Sequence, residues 1–226
     1  MLPMESWPPA TVFPVRPPGG GLPDRLKSRL QVAAARIAAP GSVVWGLPEL
    51  AGRLTEICGT GASAGMTLAI RLVLETQQQA EPVAWITTRA RSFFPADVAA
   101  HGVDLAALAV VRVPAADAIG RAADQLARSG AFGLLVLDLG SAERLPERQA
   151  SRLLGLAQTH GTAIVCLSDR PARAPSVSPL VSMRGEAQWR REAPGTFVCE
   201  WRAIKDKRRA PGWSHAEVCC GPAGLR

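Results

Sequence analysis

Short apolar runs alternate with amphipathic segments along most of the chain. Five runs are mostly apolar and are typical of buried strands; they cover residues 54–58, 82–88, 108–113, 132–138 and 162–168. Between them, apolar residues recur at helical spacing in residues 67–80, 94–103, 115–130 and 142–161. Buried strands that alternate with helices indicate an α/β fold with a doubly wound, mostly parallel sheet flanked by helices.

The pattern changes at both ends of this region. Residues 1–23 are rich in proline and glycine, which predicts a flexible arm. Asp24 then precedes a helical pattern over residues 25–39. After a proline-broken loop at 170–179, three strand-like runs predict a C-terminal antiparallel extension; they cover residues 180–190, 195–204 and 215–220. We therefore expect a single core domain over residues 24–226.

Composition narrows the class of protein. A chain of 226 residues, 47% of them hydrophobic, suits one such domain. No apolar run approaches the roughly 18–20 residues that a membrane span needs, and the N-terminus lacks the pattern of a secretory signal, so we expect a cytoplasmic protein. The five cysteines show no CxxC spacing. Since Cys58 and Cys166 lie in strand-like runs, buried thiols are expected rather than a metal site.

The net charge of +7 is concentrated near the C-terminus. Residues 170–209 hold ten Arg or Lys against four Asp or Glu, whereas the first 169 residues hold fifteen against fourteen. A local basic segment attracts DNA or an acidic partner surface, and the alternative is a solvated charged face. The candidate binding residues in this segment are Arg170, Arg173, Arg184, Arg190, Arg191, Lys205, Lys207, Arg208 and Arg209.

Residues 53–70 read as a strand, a small-residue turn and a helix, which is the setting of a phosphate-binding loop of the G-x-x-x-x-G-K-[ST] type. Such a loop needs a lysine between the phosphates and a hydroxyl for Mg²⁺. Here a methionine replaces the lysine, and neither Gly59 nor Gly61 has the required spacing from the last glycine. The degenerate nucleotide site comprises Gly59, Gly61, Gly65, Met66 and Thr67.

The second half of such a site is an aspartate that ends an apolar strand and holds Mg²⁺ through water. Asp138 ends the run over 132–138 and fits this position. An ion pair to phosphate contributes about 1.5–3 kcal/mol, so losing the lysine weakens ATP binding on the order of tenfold to a hundredfold. We expect no catalytic residue, no metal and no cofactor, with residual nucleotide binding left as an alternative.

The order of these features resembles the bacterial recombinase family RecA. The stretch over 46–68 resembles the approach to the RecA ATP loop, and residues 124–138 resemble the helix, turn and strand that carry the Mg²⁺-side aspartate. Residues 202–225 are similar to a RecA strand pair with a Lys-Asn-Lys motif, matched here by Lys205-Asp206-Lys207. The resemblance implies a RecA-like fold. In RecA filaments the two lysines reach the ATP of the neighbouring subunit.

Three departures from RecA occur together. Met66 stands at the position of the ATP lysine, and Arg89 is the nearest match to the catalytic glutamate. The short segment 170–179 stands where RecA has a long glycine-rich DNA-binding loop. Together these losses suggest a RecA fold without its ATPase.

This combination resembles the ImuA family, short RecA-like proteins of DNA-damage-induced (SOS) mutagenesis and translesion synthesis. That resemblance implies RecA and the polymerase-like protein ImuB as partners, and a cytoplasmic location at the nucleoid when DNA is damaged. A chain with one RecA-like subunit face is expected to dock on a filament end and modulate or inhibit it.

Two alternatives remain open at the level of sequence. The first is a DNA-binding module in which the basic segment contacts phosphates and tryptophans 189, 201 and 213 stack on bases, unless those tryptophans belong to the core. The second is a weak ATPase in which Lys205 or Lys207 of a neighbouring copy supplies the missing charge.

Overall fold

The structure is a computed structural model that describes residues 45–61, 63–91, 93–141, 144–193 and 196–220. The predicted arm over residues 1–23 and the predicted helix over 25–39 lie outside these ranges.

One sheet of eight strands organises the described residues. Its strands are β1 (Leu54–Cys58), β2 (Val83–Thr88), β3 (Leu108–Val113), β4 (Leu134–Gly140), β5 (Ala163–Ser168), β6 (Met183–Ala193), β7 (Thr196–Asp206) and β8 (Ser214–Cys220). The order across the sheet is β3-β2-β4-β5-β1-β6-β7-β8. Neighbours from β3 to β6 pair in parallel, and β7 and β8 add an antiparallel extension. The predicted fold class is confirmed.

Five α-helices lie in the described part of the chain: α1 (Leu47–Leu50), α2 (Gly65–Gln78), α3 (Pro95–Ala100), α4 (Ile119–Ala127) and α5 (Glu147–His160). The helix predicted from residue 142 begins only at Glu147, because Pro146 lacks an N–H group and suits the position before a helix. It ends at Gly161, whose φ of 72° is the left-handed conformation that favours glycine at a helix C-terminus.

The helices cover both faces of the sheet and divide the core in two. On one face, α1 and α2 pack through residues such as Leu50, Leu68 and Val73. On the other face, α4 and α5 pack through residues such as Ile119 and Leu153. Because both faces are covered, β4 is buried at every position, which explains its continuous apolar run.

An aromatic stack joins the antiparallel extension to the first core. The ring of Trp201 lies 5.2 Å from that of Trp45 and 4.9 Å from that of Trp213. A Cβ at Gly185 would lie 2.0 Å from the Trp201 ring, so only glycine leaves room for it. Trp201 is therefore a core residue.

In the part of the chain that the structure describes, no helix combines the length and the apolar character needed to cross a bilayer.

We predict that Leu135→Ala lowers the free energy of unfolding by about 2–5 kcal/mol, because Leu135 is fully buried in β4 and truncation leaves a cavity. Urea denaturation followed by circular dichroism measures the loss. Leu105→Ala, at a leucine that is 40% exposed, serves as the matched control and should cost about 0.5 kcal/mol or less. Equal losses in the two variants would contradict the assignment of the core.

Candidate functional site

The degenerate loop lies at the carboxyl edge of the parallel strands, where open α/β sheets usually bind ligands. It leaves the sheet after Cys58 at the end of β1 and enters α2 at Gly65. Asp138 lies near the end of β4 at the same edge. The structure therefore places the two halves of the predicted nucleotide site on one side of the sheet.

The loop at 59–64 is held by contacts within the protein. A Cβ at Gly59 would lie 2.5 Å from Cβ of Ser63, so the serine is folded over a position that only glycine can occupy. The N–H of Gly59 donates to the carbonyl of Ser168 at 3.2 Å, and that of Ser63 donates to Gly61 at 2.9 Å. The N–H of Gly65 makes a long contact of 3.4 Å with Oγ of Ser63. Three N–H groups of the loop thus already have acceptors inside the protein.

The residue at the lysine position faces the protein interior. Met66 is half-buried and packs against the core cluster formed by α1, α2 and the sheet. Thr67 is half-buried beside it and keeps the hydroxyl that the phosphate-loop pattern requires. The start of α2 therefore presents a hydroxyl but no side-chain cation.

Asp138 is held by residues of the neighbouring strand and loop. Its side chain is 1% exposed, and its Oδ2 accepts a hydrogen bond of 2.9 Å from Oγ1 of Thr87. Nε of Arg91 lies 2.6 Å from its Oδ1. The same guanidinium donates from Nη1 to Oδ2 of Asp169 at 2.7 Å. Arg91 therefore runs from the loop after β2 across the end of β4 to the residue after β5.

Local backbone geometry admits this arginine. Gly140 has a φ of 66°, and a Cβ there would lie 2.7 Å from Nη1 of Arg91.

Burial favours a lower pKa for the Arg91 guanidinium, but its contacts with Asp169 and Asp138 outweigh burial and raise the pKa. The arginine is thus fully charged and supplies the positive charge that faces Asp138.

Comparisons with known proteins agree with this architecture. The profile of the RecA N-terminal domain matches residues 34–153, just over half of the chain. The chain belongs to the RecA N-terminal domain family. It is 35% identical over 95 residues to Protein RecA of Fusobacterium nucleatum subsp. nucleatum. The aligned region covers 42% of this chain and 24% of that protein. It is 31% identical over 127 residues to Protein RecA of Rhodospirillum centenum. The aligned region covers 53% of this chain and 35% of that protein.

The matches thus span a quarter to about a third of the length of these curated relatives. The RecA-like character predicted from the sequence is confirmed.

A second buried carboxylate, which the sequence patterns did not single out, lies under the same edge. Glu56 is fully buried in β1 and accepts hydrogen bonds from Oγ of Ser168 at 2.8 Å and from the N–H of Val177 at 3.1 Å. Nε of Arg184 lies 3.2 Å from its Oε2. The Arg184 guanidinium also donates to the carbonyl oxygens of Pro171, Ala172 and Ala174. This ion pair holds the loop at 170–179 against β1 and β6.

The structure differs from the sequence expectation at Arg184. We placed this residue in a basic binding segment, but it is only 4% exposed and neutralises Glu56. Arg170 is half-buried, and Arg173 is exposed.

The other basic candidates separate into two groups at opposite ends of the β6–β7 ladder. Arg190 and Arg191 are exposed near the hairpin end, whereas Lys205 pairs with Arg184 near the start of β6. Seven residues of strand between positions 184 and 191 correspond to roughly 20 Å. Segment 170–209 is therefore not one continuous patch.

The Lys205-Asp206-Lys207 motif lies at the amino edge of β1, on the opposite side of the sheet from the loop at 59–64. Asp206 pairs in register with Met183, which pairs with Thr55 near the start of β1. Lys207 is exposed, and Nζ of Lys205 donates to the carbonyl of Pro179 at 3.1 Å. Burial and the neighbouring charge of Lys207 lower the pKa of Lys205.

Asp206 turns inward and forms a buried ion pair of 2.6 Å with Nη2 of Arg53. Burial favours a higher pKa for Asp206, but hydrogen bonds from Arg53 and from the N–H of Arg208 outweigh it and lower the pKa. Arg208 and Arg209, which follow this motif, bind residues in and next to α1. Arg208 donates to the carbonyl of Ala51, and Arg209 is paired with Glu49 and lies over Trp213.

The thiols agree with the sequence expectation. Cys58 and Cys166 are both buried. Burial raises the pKa of Cys58 to about 11 and raises the pKa of Cys166 as well, so both are neutral thiols at physiological pH. Among the described residues, no group of three or more His, Cys, Asp or Glu side chains is arranged to hold a metal ion.

We predict that Arg184→Met lowers the free energy of unfolding by about 3–5 kcal/mol, because it leaves Glu56 buried without its cation. Arg190→Met is the matched control at an arginine whose side chain is 60% exposed, and it should cost about 0–1 kcal/mol. Chemical denaturation measures both. A loss in Arg184→Met no larger than in the control would show that Arg184 is not a structural residue.

We also predict a pH dependence that involves Asp206. Its folded-state pKa is lowered below the ordinary value of 3.8, so its stabilisation is complete above that pH and is lost as the pH falls through the folded-state pKa. Asp206→Asn should lower the free energy of unfolding by about 3 kcal/mol at pH 7, since Arg53 loses its counter-charge. The variant should also show a shallower loss of stability below about pH 4 than the parent.

Urea denaturation at a series of pH values measures this dependence. An Asp206→Asn variant with the parent's stability at neutral pH and the parent's slope in acid would refute the role given to the ion pair.

Proposed function

We propose that this chain is a non-catalytic RecA-like accessory protein of DNA-damage-induced (SOS) mutagenesis and translesion synthesis, similar in role to ImuA. It binds RecA, ImuB or both in the cytoplasm, and it modulates or inhibits the RecA filament. The ion pair between Arg91 and Asp138 is the observation that carries this proposal. Membership of the RecA N-terminal domain family supplies the fold on which it rests.

Arg91 competes with a metal ion for Asp138. Mg²⁺ in nucleotide sites is held by carboxylates, water and substrate phosphates. Here Oδ1 of Asp138 faces a guanidinium nitrogen at 2.6 Å, and Oδ2 accepts the Thr87 hydroxyl. A metal ion could approach only if Arg91 gave up its contacts with both Asp138 and Asp169, and any arginine left nearby would repel the cation.

The loop on the other side of the site supports the same proposal. Met66 packs inward and supplies no charge to a triphosphate. Several N–H groups that would cradle a phosphate donate instead within the loop or to β5. A nucleotide would therefore lose both the cation and part of the backbone cradle on which a phosphate loop depends.

A RecA-like protein without turnover can still act on a filament. Filaments grow through heterologous contacts, in which one face of a subunit meets a different face of the next. The degenerate loop and the Lys205-Asp206-Lys207 motif lie at opposite edges of this sheet, so the chain has two such faces. If only the face that carries Lys205-Asp206-Lys207 can bind a RecA subunit, the chain docks on one end of a RecA filament and blocks further growth.

The test is assembly of RecA on fluorescent single-stranded DNA, followed by disassembly, with and without this protein. We expect the protein to reduce filament assembly or speed disassembly at substoichiometric amounts. Lys207→Glu should weaken the effect, and Arg190→Glu, with the same charge change at the opposite end of the sheet, should not. If neither RecA nor ImuB is retained in a pull-down, with or without single-stranded DNA, and filaments are unaffected, the proposal fails.

A second candidate function, DNA binding, is favoured by the β6–β7 hairpin. Trp189 is 37% exposed there and lies 5.8 Å from Phe197, next to Arg190 and Arg191. Exposed aromatic and basic side chains together can stack on bases and contact phosphates. A titration of labelled single-stranded DNA at two salt concentrations tests this candidate, since affinity through several phosphates must fall steeply with salt.

A further inference from the structure

A groove of about 580 Å³ lies between α4 and α5, on the face of the sheet that the degenerate loop does not use. Four arginines line it against one aspartate: Arg121 and Arg128 from the α4 side, Arg148 and Arg152 from α5, and Asp124 between them. This concentration of positive charge is not visible in the sequence, because the first 169 residues are nearly neutral in total. The fold creates it by packing two helices side by side.

The arginines are not equally engaged. Asp124 accepts from Nε of Arg128 at 3.1 Å and from Nη2 of Arg152 at 2.9 Å, both at its Oδ2. Arg121 is 64% exposed, and its nearest acid, Asp117, is equally exposed at 3.6 Å. Arg148 is exposed and forms no ion pair within the described ranges. Two guanidinium groups are thus available to an anionic ligand.

Two polar side-chain atoms lie buried beneath the groove, and the groove extends over an apolar stretch. Oδ1 of Asp124 and Oε1 of Gln149 are both buried and have no hydrogen-bond partner among the described residues. Gln149 lies across Gly120, where a Cβ would be 2.0 Å from its amide oxygen. The groove continues past Gly155 and Leu156, where its floor is apolar. The apolar stretch beside Gly155 and Leu156 is open to apolar side chains of a ligand.

We propose that this groove binds an acidic peptide segment of a protein partner. Carboxylates of such a segment would pair with Arg121 and Arg148, and its apolar side chains would lie beside Gly155 and Leu156. A nucleic-acid backbone supplies negative charge but no apolar side chains for the stretch beside Gly155 and Leu156. The chain's own residues 1–44 hold five basic and two acidic side chains, so they do not match the groove.

This inference is independent of the accessory role proposed above, because it involves neither the degenerate loop nor the lysine motif. It gives the chain a second contact surface on the opposite face of the sheet from α2. A partner with an acidic tail could be held there while the edges of the sheet remain accessible.

Fluorescence anisotropy with the full chain tests the inference. The probe is a fluorescein-labelled peptide of alternating glutamate and leucine, and labelled oligo(dT) is titrated in parallel. The double variant R121E/R148E should lose about tenfold or more in peptide affinity, since it replaces the two charges that attract the peptide's carboxylates with charges that repel them. Both arginines are exposed, so circular dichroism should show an unchanged fold.

The matched control is R89E/R112E, with the same charge change at two exposed arginines outside the groove. It should leave peptide affinity unchanged, which would show that the loss depends on position and not on net charge. Three outcomes would overturn the inference. The peptide does not bind the parent protein, it binds both double variants equally, or R121E/R148E loses oligo(dT) binding and keeps the peptide. The last result would make the groove a nucleic-acid site.

Discussion

A carboxylate buried inside a sheet must be neutralised, because the free energy of leaving it unpaired is several kcal/mol. Three buried acids on the sheet meet this constraint in the same way, each with an arginine from a distant part of the chain: Glu56 with Arg184, Asp138 with Arg91, and Asp206 with Arg53. Each pair joins a loop or strand end to its neighbours. Together they set the positions of the segments around the carboxyl and amino edges of the sheet.

At the carboxyl edge this constraint has a chemical consequence. The sequence predicts a Mg²⁺-side aspartate at Asp138, and the structure places the positive charge of Arg91 against this carboxylate. The guanidinium is covalently part of the chain and also pairs with Asp169, so it cannot dissociate as a bound metal ion can. The carboxylates of Asp138 and Asp169 at this edge thus have their counter-charge within the chain.

The inner strands β2, β4 and β5 were predictable from the sequence because burial on both faces leaves a mostly apolar run. β4 extends two residues beyond Asp138 to Gly140, and the edge strand β3 has the predicted bounds although only its two ends are buried. Helix ends were less certain, since α4 is preceded by a 3-10 turn at residues 116–118 that has the same apolar spacing as the helix. The Gly59, Met66 and Asp138 positions of the candidate site also followed from the strand–loop–helix pattern.

The apolar pattern of the sequence could not predict which charged side chains pair with each other. Arg89 matched the catalytic position by alignment, but it is exposed, and Arg91 reaches Asp138. That contact depends on the order β2-β4-β5, which places the loop after β2 beside two strands that come much later in the chain. For the same reason the sequence predicts Arg184 as a binding residue, whereas it is buried against Glu56, and it does not predict the groove between α4 and α5, since charge counted along the sequence does not reveal which charges meet in space.

Calorimetric titration of the full chain with Mg·ATP is the most direct measurement of whether Arg91 has replaced the metal. With the guanidinium at Asp138 and no lysine at the loop, we expect no saturable heat of binding, and Thr67→Ala should behave as the parent does. Micromolar affinity in the parent that disappears in Thr67→Ala and Asp138→Asn would mean that this edge of the sheet is still a working nucleotide site.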